Sequence, residues 1–306
     1  MKGRRHKQRG VALIIALLIL ALGASITSAM LWERSLSTHR SALLLEQSQA
    51  WQYNLGAEAW VRRILTRSAD KHDSLDSAWA QQLPPLPVQG GAIEGGVQDL
   101  EARLNLNNLI GADGKLDEQA YAALQRLLVA LRIPPEIANA IADWEDTDDD
   151  VRSPGGAESG FYASLDPLYA PANRHFESVS SLRLVRGITP EIYARLAPYV
   201  SALPIVTPVN VNTARAPVIA AVVPGIGLAR AQEIVAARSR DGYASLDAFK
   251  SVVGHEIEFP ITLDSSFFLL SVTTSIGNTR LSLYSVIYRN GNGATRTLSR
   301  SFIPVR

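Results

Sequence analysis

The densest chemistry in the chain lies between Asp143 and Glu158. Asp143, Glu145, Asp146, Asp148, Asp149 and Asp150 crowd together, and Pro154, Gly155, Gly156, Ala157 and Glu158 follow them. Between Glu101 and Gly160, twelve acidic side chains face five basic ones, so these carboxylates repel one another unless a cation joins them. Hard oxygen donors closing a glycine-containing loop suit calcium, which takes about six to eight oxygen ligands. Asp146-x-Asp148-x-Asp150 opens like an EF-hand loop and then departs from it. Val151 stands where that loop turns on glycine, and Glu158 falls one place beyond the closing glutamate. A solvated acidic surface loop is the other outcome that such a run supports.

A second motif points to different chemistry. Val209-Asn-Val-Asn-Thr-Ala214, followed by Val223-Pro-Gly-Ile-Gly227 and a helical run to Val235, has the form of a helix-hairpin-helix. In such a unit Gly225 and Gly227 let backbone N–H groups approach a DNA phosphate. Arg215, Arg230, Arg238 and Arg240 add charge, while Glu233, Asp241 and Asp247 dilute it. The same hairpin also serves as a packing unit, and no nucleic acid is expected as a partner. Catalysis has no comparable signal, so the chain is not expected to be an enzyme. A nucleophile elbow, a P-loop and a zinc-type histidine pair are all missing from the sequence.

The elements that position these residues follow from periodicity. Asp117 to Leu131 places Tyr121, Leu124, Leu127, Leu128 and Leu131 on one helical face, with Asp117 as N-cap and Pro134 as stop. Helical segments are also expected over 135–144, 178–185, 190–199, 214–223, 228–239 and 246–252. Leu100, Ala102, Leu104 and Leu106 alternate, which predicts a strand over 97–106 after a Pro- and Gly-rich loop over 79–96. Strands return at 267–276, 279–289 and 294–303, separated by Gly277-Asn278 and by Asn290 to Gly293. The paired segments Leu104 to Asn108 and Val209 to Thr213 form a weak internal repeat whose asparagines suit caps and turns.

The N-terminus sets the compartment. Val11 to Trp32 carries no charged side chain and is long enough to cross a hydrocarbon core of about 30 Å. Lys2, Arg4, Arg5, Lys7 and Arg9 precede it and hold the N-terminus on the cytoplasmic side of an inner membrane. The helical pattern continues past the span to Leu65 and becomes amphipathic. The 306 residues hold 30 Lys and Arg against 29 Asp and Glu, but five of the cations lie in the leader, so the remainder is net acidic. There is no cysteine, which excludes disulfides and thiolate metal sites.

A basic leader ending in Gly10, with an apolar helix beginning at Val11, resembles the type III signal of prepilins and pseudopilins. The resemblance implies cleavage between Gly10 and Val11 by a prepilin peptidase, with methylation of the new N-terminus. Such chains carry Glu at the fifth mature position, where this one has Ile15. Among pseudopilins that absence marks the largest minor subunit, so the chain resembles the general secretion pathway protein K family of type II secretion.

That family implies an α+β pseudopilin fold, a long N-terminal transmembrane helix packed on a small antiparallel sheet, with a large all-helical domain inserted between strands. The expected division is a leader over 1–10, a span over 11–32, and periplasmic helix, loop and first strand over 33–107. An inserted helical domain over 108–260 would carry the hairpin at 209–250, and strands over 261–306 would complete the sheet. The family binds calcium through an Asp-Trp-x-Asp-x-Asp segment and a Gly-Ala-Glu segment. Carried over, these give Asp146, Asp148 and Glu158, with Asp143 and Asp150 beside them. The implied role is initiation or capping of the pseudopilus tip together with I- and J-type minor pseudopilins. A membrane-anchored DNA receptor of the competence type, built on the hairpin, is the alternative, and a type IV pilus tip subunit would share the same helix.

Overall fold

A computed structural model describes residues 8–68, 72–82 and 84–304, with side chains from residue 11 onward. The leader cations Lys2, Arg4, Arg5 and Lys7 lie outside the described residues. Helix α1 (Gln8–Arg67) runs for 60 residues, about 90 Å at helical rise, without a proline. From Val11 to Leu45 its side chains are exposed. Only from Ala50 does one stripe become buried, through Asn54, Glu58, Val61 and Leu65, at the spacing that keeps one helical face turned inward.

Two members of that stripe are polar, and both are satisfied. Asn54 accepts from the Thr274 hydroxyl at 2.7 Å and donates to the Leu281 carbonyl at 3.0 Å. Glu58 accepts from Ser285 and Thr297, each at 2.7 Å, and from two Arg300 nitrogens, each at 2.8 Å. Because buried polar groups must find partners, these contacts set the register of the helix on the sheet.

After α1, the chain forms β1 (Leu86–Val88) and β2 (Gly91–Asp99). The expected strand over 97–106 is corrected by this arrangement. The strand lies earlier, in a segment expected to be loop, and Leu100 to Arg103 turn away from it. The alternation had mixed two cores: Leu100 packs with Leu203, Phe267 and Leu269, whereas Leu104 and Leu106 belong to the helical block.

That block begins with β3 (Leu104–Asn105), α2 (Glu118–Ala130), α3 (Ile137–Glu145) and α4 (Ser159–Tyr162), and continues with α5 (Pro190–Leu196) and β4 (Val200–Ser201). Next come β5 (Val209–Asn210), α6 (Ala216–Val222), α7 (Leu228–Ala237), α8 (Leu246–Val253) and β6 (Ile261–Thr262). Asp117 caps α2 by accepting from the Ala120 N–H at 2.8 Å. The segment over 179–184 is a 3-10 helix rather than an α-helix. Nor is the block wholly helical, because β3 pairs parallel with β4 and β5 with β6. Its core runs from Leu104 to Leu263, and complete burial of a leucine such as Leu124 or Leu127 contributes on the order of 2 kcal/mol.

The chain then returns through β7 (Phe267–Ile276), β8 (Thr279–Arg289) and β9 (Thr295–Ser301). The sheet has the order β1-β2-β7-β8-β9 and is antiparallel throughout, so the helical block lies in sequence between two neighbouring strands. Phe268, Leu270, Val272, Leu283 and Ile287 face α1, while Phe267 and Leu269 face the opposite way.

Burial opposes ionisation of Glu58, yet the bonds from Arg300, Thr297 and Ser285 outweigh it and hold its pKa at about 2. A depressed carboxyl pKa contributes stability that is present above the unfolded value and lost as pH falls through the folded one. Thermal melts are therefore expected to show stability falling between about pH 4.5 and about pH 2. Glu58→Gln should cost on the order of 2 kcal/mol at neutral pH and flatten that slope. An unchanged slope in the variant would show that Glu58 does not carry it.

Candidate metal centre

The carboxylates converge where α3 ends and α4 begins. Asp143 lies in the last turns of α3, Asp146 is its C-cap residue, and Glu158 is the N-cap residue of α4. All three are buried, and one oxygen from each falls within 4.8 Å of the others. Gly156 permits this approach, since a Cβ there would stand 2.2 Å from Asp143 Oδ2 and from the Arg152 carbonyl. The loop is held by Asn139 Nδ2 donating to the Pro154 carbonyl and Arg186 Nη1 donating to the Gly156 carbonyl, each at 2.8 Å.

Arg152 is the one guanidinium in the cluster among the described residues. Its Nη1 donates to Asp143 Oδ1 at 2.8 Å and to Asp146 Oδ2. It does not satisfy the site, because both Glu158 oxygens and Asp146 Oδ1 are buried without a hydrogen-bond partner. Burial first, and then Asp143, Asp146, Asp149 and Asp148, push Glu158 up to about 8. Burial also raises Asp146, against the pull of Arg152. Orphaned hard oxygens under a surplus of negative charge are the donor set that a calcium-class cation takes.

The outer aspartates fall elsewhere. Asp148 and Asp150 are exposed, with Asp148 Oδ1 accepting from the Asp150 N–H at 2.9 Å, and they do not join the buried three. Asp149 instead accepts from the Ser159 N–H at 3.1 Å. Close by, Glu145 pairs with His175, is raised to about 7 by burial, and leaves Oε2 unpartnered.

The hairpin over 209–250 is present as α6, a turn at Gly225 with φ of 81°, and α7. Two of its four arginines are engaged by the chain itself. Arg238 Nη1 donates to the carbonyls of Val211 and Ala214, while Arg230 bonds Glu233 and the Val252 carbonyl. A second hairpin was missed in the sequence. Val185-Arg-Gly-Ile-Thr189 leads into α5 with the spacing of Val223-Pro-Gly-Ile-Gly227, and Gly187 has the same φ of 81°. The shared Val-x-Gly-Ile spacing was the available signal.

The repeated asparagines perform matching tasks. Asn107 Oδ1 accepts from the Phe176 N–H at 2.8 Å and its Nδ2 donates to the Phe176 carbonyl at 3.0 Å. Asn212 makes the same pair of bonds to Tyr243, at 2.7 and 3.3 Å. The block is thus two lobes of related construction, each opened by a short strand with an asparagine clamp and closed by a parallel partner strand. At the far end of the molecule, Gly10 lies in the first turns of α1, and Val11 and Ile15 are exposed on it.

A long apolar helix seated on an antiparallel sheet, with a two-lobed helical block between adjacent strands, defines a membrane-anchored protein of the minor pseudopilin class. Family models described as type II secretion system (T2SS), protein K, match residues 102–205 and 209–256, nearly the limits of the two lobes. Type II secretion system protein K of Pseudomonas aeruginosa is 34% identical over 313 residues, covering 97% of this chain and 93% of that protein. The Aeromonas hydrophila protein of the same description is 34% identical over 322 residues, with 96% and 97% covered. In the solved GspK-GspI-GspJ complex from the enterotoxigenic Escherichia coli type 2 secretion system, one chain superposes with a TM-score of 0.75 at 23% identity, covering 86% of this chain and 98% of that one. The chain belongs to the type II secretion system protein K family.

Proposed function

We propose that the protein is the tip subunit of a type II secretion pseudopilus, where it initiates or caps assembly for protein export across the outer membrane. Its role is structural rather than catalytic. Val11 to Trp32 spans the inner membrane, with the leader cytoplasmic and the remainder periplasmic. Prepilin peptidase cuts after Gly10, leaving a methylated Val11 as the new N-terminus. Ile15 carries this reading. At the fifth mature position a carboxylate would neutralise the free terminal amine of the subunit above, inside hydrocarbon where an unpaired charge is costly. An isoleucine offers no such charge, so the chain comes first and has no subunit above it. The two-lobed block also adds bulk that obstructs further addition. Minor pseudopilins of the I and J types are the partners that this position requires.

Sequencing the N-terminus of membrane-extracted protein, with and without prepilin peptidase, tests the assembly role together with Ile15→Glu. The expected result is a peptidase-dependent start at Val11, with secretion reduced and pseudopilus length altered by Ile15→Glu. Normal secretion and length in that variant would refute the tip mechanism.

Calcium is the proposed cofactor, with Asp143, Asp146 and Glu158 as its side-chain ligands and the exposed Asp148 and Asp150 adding charge around the loop. When bound, the ion neutralises the buried carboxylates and competes with Arg152 for Asp143 and Asp146. A ligand bound only by the folded state stabilises it. EGTA is therefore expected to lower the melting temperature of the full-length protein in detergent, and Glu158→Gln to remove most of the difference. An unchanged melt, with no metal on elemental analysis, would exclude calcium.

A further inference from the structure

A cleft of about 830 Å³ lies on the face of the sheet turned away from α1. Its floor is Gln98, Leu269, Ser271 and Tyr284, which share one face because Gln98 pairs with Leu269 and Ser271 with Tyr284. Its opposite wall comes from the first lobe, around α5 and the 3-10 helix before it. Three arginines, Arg103, Arg183 and Arg215, line it, and among the described residues the lining contains no aspartate or glutamate. In a chain whose residues beyond the leader are net acidic, that is a pronounced local imbalance.

The three cations are also without counter-ions of their own. None forms an ion pair among the described residues. Arg103 Nη2 donates to the neutral Gln98 Oε1 at 2.6 Å. Burial, and then repulsion from Arg215, lower its pKa, while Asp99 pulls the other way. Arg183 lies over the Tyr193 ring at 4.3 Å, which orients its guanidinium plane. Glu191, which follows Pro190 but lies outside the lining, bonds the Thr189 hydroxyl. Guanidiniums that form no ion pair suit carboxylates, which they can engage through paired hydrogen bonds.

The rest of the lining decides what kind of anion fits. Ile188, Pro190, Ala194, Ala197, Pro198 and Leu269 give the cleft an apolar side that a free phosphate would not use. The acidic remainder of the protein supplies no long-range field for a nucleic-acid strand. We propose that the cleft docks an extended acidic segment of another polypeptide, its carboxylates received by Arg103, Arg183 and Arg215 and its intervening side chains by the apolar side. The site faces away from α1 and is therefore separate from any packing of anchor helices, and it does not depend on the tip assignment.

Fluorescence anisotropy on the full-length protein in detergent tests this with a labelled short peptide of alternating glutamate and serine. The expected result is saturable binding that weakens with salt, and at least about tenfold loss when glutamine replaces glutamate, as the removal of charge-assisted bonds requires. Arg183→Gln combined with Arg215→Gln should cause a similar loss without shifting the melting temperature, whereas Arg280→Gln, outside the cleft, should change nothing. No peptide binding, equal binding of the glutamine peptide, or equal binding by the double variant would overturn the proposal. Binding of millimolar inorganic phosphate without peptide binding would likewise overturn it in favour of a small-anion site.

Discussion

The rest of the structure depends on a small set of buried polar groups where the end of α1, the sheet and the helical block meet. Asp73 accepts from Arg289, from Trp79 Nε1 at 2.8 Å and from the Ser265 N–H at 2.8 Å. Asp99, at the end of β2, accepts from Ser265, Thr213 and Asn210. Arg289 also reaches the carbonyls of Leu65 and Ser265. Arg289 pairs with Asp73, while the two neighbouring carboxylates, Asp99 and Glu101, are held by hydroxyl, amide and backbone N–H donors. Burial raises Asp99 to about 6 and Glu101 to about 8, so their contribution is full below the unfolded carboxyl range and lost as pH rises through those values. Breaking such a network strands buried charge, which makes the junction demanding about geometry rather than a source of surplus stability.

That demand has a mechanical consequence. The block leaves the sheet after Asp99 and re-enters it at Phe267, so both connections pass through the junction. A flexible hinge there would let the block swing freely. A satisfied polar network instead holds it at one angle over the outer face of the sheet and keeps open the arginine-lined cleft between them. On the inner face, Asn54 and Glu58 perform the same service for α1. The sheet is clamped on both sides by polar contacts that tolerate little sliding, while the helix from Val11 to Leu45 is left bare for neighbours and lipid.

Much of this was legible in the sequence wherever one pattern reported one environment. The strands β7 and β8 fell at their expected limits because alternating β-branched and aromatic residues end at clear turn signals. The apolar helix and the Asp117 cap were equally readable, whereas of the inner carboxylates the sequence put Asp146 and Glu158 first and ranked Asp148 ahead of Asp143. β2 was not readable, because three of its residues are glycine and its long pairing partner, β7, lies beyond the whole helical block in sequence. Asp148 and Asp150 matched a ligand spacing, but spacing does not say which carboxylates turn inward; the fold buries Asp143, Asp146 and Glu158 together, and Gly156 leaves the room that Asp143 occupies. The Asp73–Arg289 junction was invisible, since its partners are more than 200 residues apart.

The helical block shows how a repeat can persist in backbone chemistry after its side chains diverge. Its two lobes share asparagine clamps, a left-handed glycine before a helix and a parallel closing strand. One lobe carries the acidic centre, and the other carries Asn210 and Thr213, which hold the junction. Hydrogen–deuterium exchange across Arg289→Gln tests most directly whether the junction couples these parts. If it does, the amides at the end of α1, over 263–266 and over 210–213 lose protection together. Loss confined to β8 around the substituted residue would contradict that coupling.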